Sequence, residues 1–262
     1  MHPPLPVTQG GSIDRLRDGS EGTALAMNIV LGGLVFLLLL ITPVGWIMLM
    51  LAFATWFAGF ALAARLKANG LKVTPTHFPA LHAAVERCRE RLGRPDLEVY
   101  VVQDSTFNAF ASRMAFRNFV VLHSGAVDAV LRKGDADQLE FLIGHEIGHV
   151  ALGHLSFVRG GLAELGLILP PLYFWYRRCQ ERSADRCGLW ACGSRAKAVR
   201  GLATLAGGAE LGPEVSLTEV QAQWSAISGE FWVTYTRFYS PYPHLIERMV
   251  LVDRAGAELG VG

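Results

Sequence analysis

Charged side chains vanish from the chain between Gly22 and Ala64, then return at Arg65 and stay interspersed to the end. That uncharged run covers about forty positions, and one membrane span needs roughly twenty, so its length suits two spans. Thr42-Pro43-Val44-Gly45 divides it near the middle with turn chemistry. The pattern predicts spans over residues 24–41 and 46–64, a transmembrane helical hairpin over 23–66. Leu37-Leu38-Leu39-Leu40-Ile41 is apolar all round, which suits lipid better than one buried face. Residues 1–22 carry Pro, Gly and mixed charge and read as a flexible tail without signal-peptide patterning. Arg15 and Arg17 precede the first span, Arg65, Lys67 and Lys72 follow the second, and the turn has no Lys or Arg. The positive-inside rule then puts both flanks in the cytoplasm.

Beyond the hairpin, the periods are those of a folded domain over 67–262. Leu81, Val85, Cys88 and Leu92 form the stripe of a helix over 78–92, with Pro79 at its start and Gly93 at its end. Residues 97–102 and 119–123 read as strands, and 104–111 as a loop between them. Leu139, Leu142, Ile143, Ile147, Val150 and Ala151 recur at helical spacing, which predicts a helix over 137–154. Asp137 with Glu140 suggests a capping box at its start. Residues 162–176 are apolar apart from Glu164, but the stretch is short for a span and Pro170-Pro171 interrupts it. A buried or membrane-surface segment is expected, with Arg177 and Arg178 at headgroups or solvated. Further helices are expected over 194–205, 217–227, 231–239 and 243–255. The fold class is mostly α with a small β-sheet.

Composition sharpens this picture. The 262 residues are 51% hydrophobic and 18% charged, which is apolar for a soluble enzyme, and the net charge of +1 leaves no nucleic-acid footprint. Cys88, Cys179, Cys187 and Cys192 lack C-x-x-C spacing and read as reduced thiols.

The chemistry concentrates in Gly144-His145-Glu146-Ile147-Gly148-His149. Positions i and i+4 share a helix face, so His145 and His149 can present two imidazoles to one ion. Glu146 can reach a water on that ion. This H-E-x-x-H spacing is expected for zinc with a glutamate general base. A catalytic zinc needs a third protein ligand, and Glu164, Glu181 and Asp185 are the acidic candidates that follow. Glu181 and Asp185 are one turn apart in Glu181-Arg182-Ser183-Ala184-Asp185, a spacing that suits a ligand plus a carboxylate orienting an imidazole.

With H-E-x-x-H and His154 after it, this E-x-x-A-D element, and Asn108-Ala109-Phe110-Ala111, the sequence resembles the M48 membrane metallopeptidases, which include the HtpX heat-shock proteases and the CAAX prenyl protease. The resemblance covers residues 75–185 well and the last third weakly. It implies a zincin-like (gluzincin) domain behind the hairpin, one Zn2+ per chain held by His145, His149 and Glu181, and Glu146 as base. Asp185 would orient an imidazole. Asn108 and Ala109 would hold a polypeptide substrate lying as an added strand beside the sheet edge near 119–122. The chain departs from the family late on: Tyr242 stands where a histidine is expected, while Pro243 and Arg248 match. Tyr242, assisted by Arg248 and not by His244, is the expected oxyanion donor. His154 lies off the ligand face and reads as structural.

The implied function is a zinc-dependent endopeptidase in the inner or plasma membrane, with its catalytic domain cytoplasmic, cutting membrane or unfolded polypeptides. Its partners would be the polypeptide and the bilayer, with no nucleic acid; the oligomeric state does not follow from the sequence. A rival class is a membrane-anchored chaperone-like scaffold, or inactive homologue, that keeps zinc for structure. Glu146 argues against the rival and Tyr242 in its favour.

Overall fold

The computed structural model describes residues 13–94, 96–105, 109–114, 117–131 and 137–262. Two apolar helices lead. Helix α1 (Glu21–Leu39) contains a π-helical turn at Asn28–Gly32, and α2 spans Pro43–Asn69. Both are long and apolar enough to cross a membrane. Thr42 ends the turn between them: its hydroxyl accepts from the Gly45 N–H at 3.4 Å, and Pro43 takes the first helical position, where its missing N–H costs nothing. Leu37, Leu38, Ile41, Met50, Leu51, Phe53 and Phe57 are exposed on this pair, the reverse of a water-soluble surface.

Residues 13–20, read from sequence as part of a flexible tail, dock on the domain instead. Leu16 is fully buried, the Arg15 guanidinium lies 4.1 Å from the Trp190 ring centroid, and Asp18 pairs with Arg182 at 2.7 Å. Apolar burial at Leu16 and charged side chains with partners on the domain explain why this stretch has a defined path.

The sheet has four strands: β1 (Leu71–Lys72), β2 (Glu98–Val102), β3 (Ala109–Met114) and β4 (Arg117–His123). Their order is β1-β2-β4-β3, with β2 and β4 parallel and the other pairs antiparallel. Two expectations change here. Residues 109–111 are strand rather than loop, and the outer strand is β3, with 119–122 on the inner strand β4. The alternation in 109–114 is weak because small and polar residues dominate it, so pairing to β4 decides its conformation.

Helices α3 (Pro79–Leu92), α4 (Ser124–Leu131), α5 (Asp137–Ala151), α6 (Phe157–Glu164), α7 (Pro170–Cys192), α8 (Arg195–Leu211), α9 (Leu217–Ile227), α10 (Phe231–Phe238) and α11 (Leu245–Leu259) complete the chain. The main core joins Leu81, Val85 and Cys88 of α3, Val99 and Val120 of the sheet, Ile143 and Ile147 of α5, and Leu189 of α7. Tyr100, Phe119 and Val121, on the other sheet face, pack on Ala63 of α2. Lys67 at the end of α2 reaches Glu98 at 2.7 Å. Glu140, expected in a capping box, accepts from Arg87. The apolar stretch 162–176 is divided between α6, a 3-10 turn at Leu165–Ile168 and the start of α7. It packs on α1, where a side chain on Gly32 would come within 2.6 Å of the Leu165 carbonyl. Arg178 is buried and donates to the Ser240 carbonyl at 2.7 Å, so it does not stand at a lipid surface. The four cysteines are free and buried.

Candidate metal centre

The site is built where α5 crosses α7. The crossing is close because glycines face it: a Cβ on Gly148 would sit 2.5 Å from the Cys187 Cβ, and one on Gly188 would sit 2.6 Å from the Phe141 carbonyl. With no side chains between them, the two backbones approach until short carboxylates on α7 reach the imidazoles of α5.

The Nε2 atoms of His145 and His149 stand 3.3 Å apart. Glu181 places Oε2 3.4 Å from the first and Oε1 3.6 Å from the second. Among the described residues these three form the cluster able to offer three ligand atoms to one ion. A tetrahedral zinc with bonds of about 2.0–2.1 Å spaces its ligand atoms about 3.3–3.4 Å apart, so the donor set and its spacing fit zinc. Asp185, one turn beyond Glu181, accepts from Nδ1 of His145 at 2.9 Å. That leaves Nε2 as the atom turned to the cluster. Arg248 of α11 holds Asp185 with two bonds, Nε at 2.9 Å and a terminal nitrogen at 2.7 Å. Arg248, expected as an aid to the oxyanion, holds Asp185 and also lines the cavity over the cluster.

The electrostatics follow from this packing. Burial disfavours a charged His145, but Asp185 and Glu181 outweigh it and push the imidazole up to about 10. A metal ion must displace that proton to bind. Burial drives His149 well below its ordinary value, with Glu181 opposing in part. Glu181 would be raised by burial, yet its hydrogen bond to His145 and the charge field of both histidines hold it far below the carboxylate range. Glu146 is pushed up to about 7 by burial, which outweighs the opposing charge of His145 and the Ala111 backbone N–H, with Glu181 adding to the rise. The two carboxylates of this site thus have opposite characters: Glu181 stays ionised, and Glu146 is poised near neutrality.

A cavity of about 510 Å³ opens over the cluster and is lined by Ala109, Phe110 and Ala111 of β3, by Glu146 and by Tyr242. The outer edge of β3 therefore borders the site, while the sequence reading put substrate beside 119–122. Asn108 lies outside the described residues; Ala109 opens β3. Tyr242 is 54% exposed at the rim. His244 is turned away, near the Val233 carbonyl and the Trp224 ring. Glu164 is not part of the three-ligand cluster. Two residues given other roles in the sequence reading, Arg177 at headgroups or solvated and His154 as structural, lie at the site. Arg177 lines the cavity, and His154 bonds His149 directly, Nδ1 to Nδ1 at 2.8 Å. A histidine five positions on from a ligand is off its helix face; the turn after Ala151 brings it back. No periodicity argument signals that.

Comparison with known proteins agrees with this geometry. The profile of Peptidase family M48 matches residues 75–165. Over those residues the chain is similar to the M48 peptidases. It is also 37% identical over 73 residues to a protein from Methanocaldococcus jannaschii named Protease HtpX homolog. That match covers 28% of this chain and 25% of the relative, so the chain aligns with about a quarter of that protein's length. No solved structure matches. A metallopeptidase is the class these findings support. The matched segment includes both histidines of α5 but stops short of Glu181, Tyr242 and Arg248.

Proposed function

We propose that this protein is a membrane-anchored zinc metalloendopeptidase with a gluzincin-type domain over 67–262 behind a hairpin over 23–66. The observation that carries the reading is the grouping of His145, His149 and Glu181, whose ligand atoms lie close enough together to hold one zinc. One zinc per chain would supply a Lewis acid that acidifies water and polarises the scissile carbonyl.

The chain's own residues do the rest. Glu146 takes the water proton and passes it to the departing amine; burial, which raises its proton affinity, suits both halves of that task. Asp185, held by Arg248, keeps His145 in the tautomer that presents Nε2. The substrate backbone adds as a strand along β3, where Ala109 borders the cavity and Asn108 assists. Tyr242 donates to the developing oxyanion from the rim, and Arg248 contributes by positioning Asp185. The substrates are membrane or unfolded polypeptides. The two apolar helices set the enzyme in a cell (inner or plasma) membrane with its domain on the cytoplasmic side, where Arg15, Arg17, Arg65 and Lys67 flank them.

The test is metal analysis of detergent-purified protein joined to a cleavage assay on casein, with Glu146→Gln beside the parent. About one zinc per chain in both is expected, with cleavage in the parent and a loss of 10²- to 10⁴-fold or more in the variant. A zinc-loaded variant that cuts at the parent rate would refute the assignment of the base. Zinc without cleavage in the parent would move the protein to the scaffold class.

A further inference from the structure

The imidazole chain that starts at His149 does not end at His154. The His154 side chain is 1% exposed, and its Nε2 faces Glu21 Oε1 at 3.2 Å, a close contact without the alignment of a full hydrogen bond. Glu21 is the first residue of α1 and its side chain is 0% exposed. Arg17 holds Oε1 at 2.8 Å, Arg159 contacts the same oxygen, and the Ser183 hydroxyl donates to Oε2. Arg17 also donates to the Leu152 carbonyl at 2.6 Å, just beyond α5. A carboxylate held from four directions has one orientation.

The protons along this chain are fixed by their neighbours. His149 can offer Nε2 to an ion only if its proton is on Nδ1. That proton is donated to Nδ1 of His154, which must then be bare. The His154 proton is therefore on Nε2, where it meets the Glu21 carboxylate. Any other placement sets two lone pairs or two protons face to face in a buried place. Asp185 does the same for His145 from the opposite side of the cluster. Each imidazole thus has its own carboxylate, one direct and one through a histidine.

We propose that Glu21 is a positioning residue of the metal site, acting on His149 through His154. The first apolar helix is then part of the centre that it anchors. The inference rests on His145, His149 and Glu181 being the metal site. It accounts for an acidic residue, fully buried, at the mouth of a long uncharged run, a place where a carboxylate with no task would be costly.

The experiment is zinc affinity by chelator competition, and the visible spectrum of the Co2+-loaded protein, on the full chain in detergent. The variants are Glu21→Gln, His154→Phe, the pair combined, and Asp18→Asn. Asp18 secures the same segment through Arg182 but does not touch His154, so it reports anchoring alone. Expected is a loss of about tenfold or more in zinc affinity for each of the first two, within the range for residues that orient ligands. The double variant should be no worse than the poorer single one, and the Co2+ spectrum should change in all three. Asp18→Asn should keep affinity within about twofold and an unchanged spectrum, even with a lower Tm. Unchanged affinity and spectrum in Glu21→Gln would overturn the proposal, as would an equal loss in Asp18→Asn. A parent protein that binds no zinc would instead defeat the metal-site reading beneath it.

Discussion

Tyr242 and His244 are two residues apart, and one donor role has room for only one of them. Tyr242 is at the cavity rim, whereas His244 begins α11 with its ring toward Val233 and Trp224. Position in the fold therefore favours the phenol. Tyr242→Phe should lower kcat by roughly 10²–10³ with zinc content intact, as when one oxyanion donor is lost. His244→Ala should stay near parent kcat and lose stability instead. Steady-state kinetics on both decide it: a full-speed Phe variant beside a crippled His244 variant reverses the assignment. The family resemblance pointed to Tyr242; which side chain faces the cavity depended on where α11 begins.

At the scale of elements, the α5–α7 crossing is the joint on which the site depends. Gly148→Ala adds a methyl 2.5 Å from the Cys187 Cβ, an atom fixed to backbone. Alanine's higher helix propensity is worth about 1 kcal/mol, against about 1–3 kcal/mol for overpacking, and the methyl cannot be rotated away. Net destabilisation is expected, with weaker zinc binding as Glu181 is pushed off. A methyl added at Gly161 of α6 would meet no atom within 4 Å, so Gly161→Ala should be neutral or slightly stabilising. Denaturant unfolding of both variants in detergent gives the comparison, and equal effects would show that the crossing is not tight. The joint between α2 and the sheet has an electrostatic signature. Hydrogen bonds from Lys67 and then Lys72 hold Glu98 at about 2, below its ordinary 4.5. Its folded-state value is depressed, so its stabilisation is complete above about 4.5 and disappears as pH falls towards 2. The Tm gap between parent and Glu98→Gln should be widest near neutrality and narrow as pH falls through that window. A gap that stays constant down to about pH 3 would mean the pairs contribute nothing.

For the whole molecule, both flanks of the hairpin touch the same folded body. Arg15 and Asp18 meet α7, and Lys67 meets β2. Two spans that start and finish on one domain must return to the same side of a bilayer. The cytoplasmic side proposed above rests on the basic flanks. Reporter fusions ahead of residue 13 and after Gly262 should both read cytoplasmic. Opposite readings would require an odd number of crossings and would displace α1 from the domain.

The sequence by itself determined what is local. A long uncharged run with a Thr-Pro break specifies two apolar helices, and a four-residue interval on a helix brings two imidazoles together whatever surrounds them. Glu181 and Asp185 share a face of α7 for the same reason. Only the tertiary structure decided which side of α5 meets α7, that β3 and not β4 is the outer strand, and that His154 returns to His149 through a turn. It alone brought Glu21, far away along the chain, into contact with His154. The reason is physical: helical and strand periods report a residue's direction relative to its own axis. Contacts between axes depend on packing, on where glycines let backbones approach and where buried charges find partners, and no period along the chain encodes that.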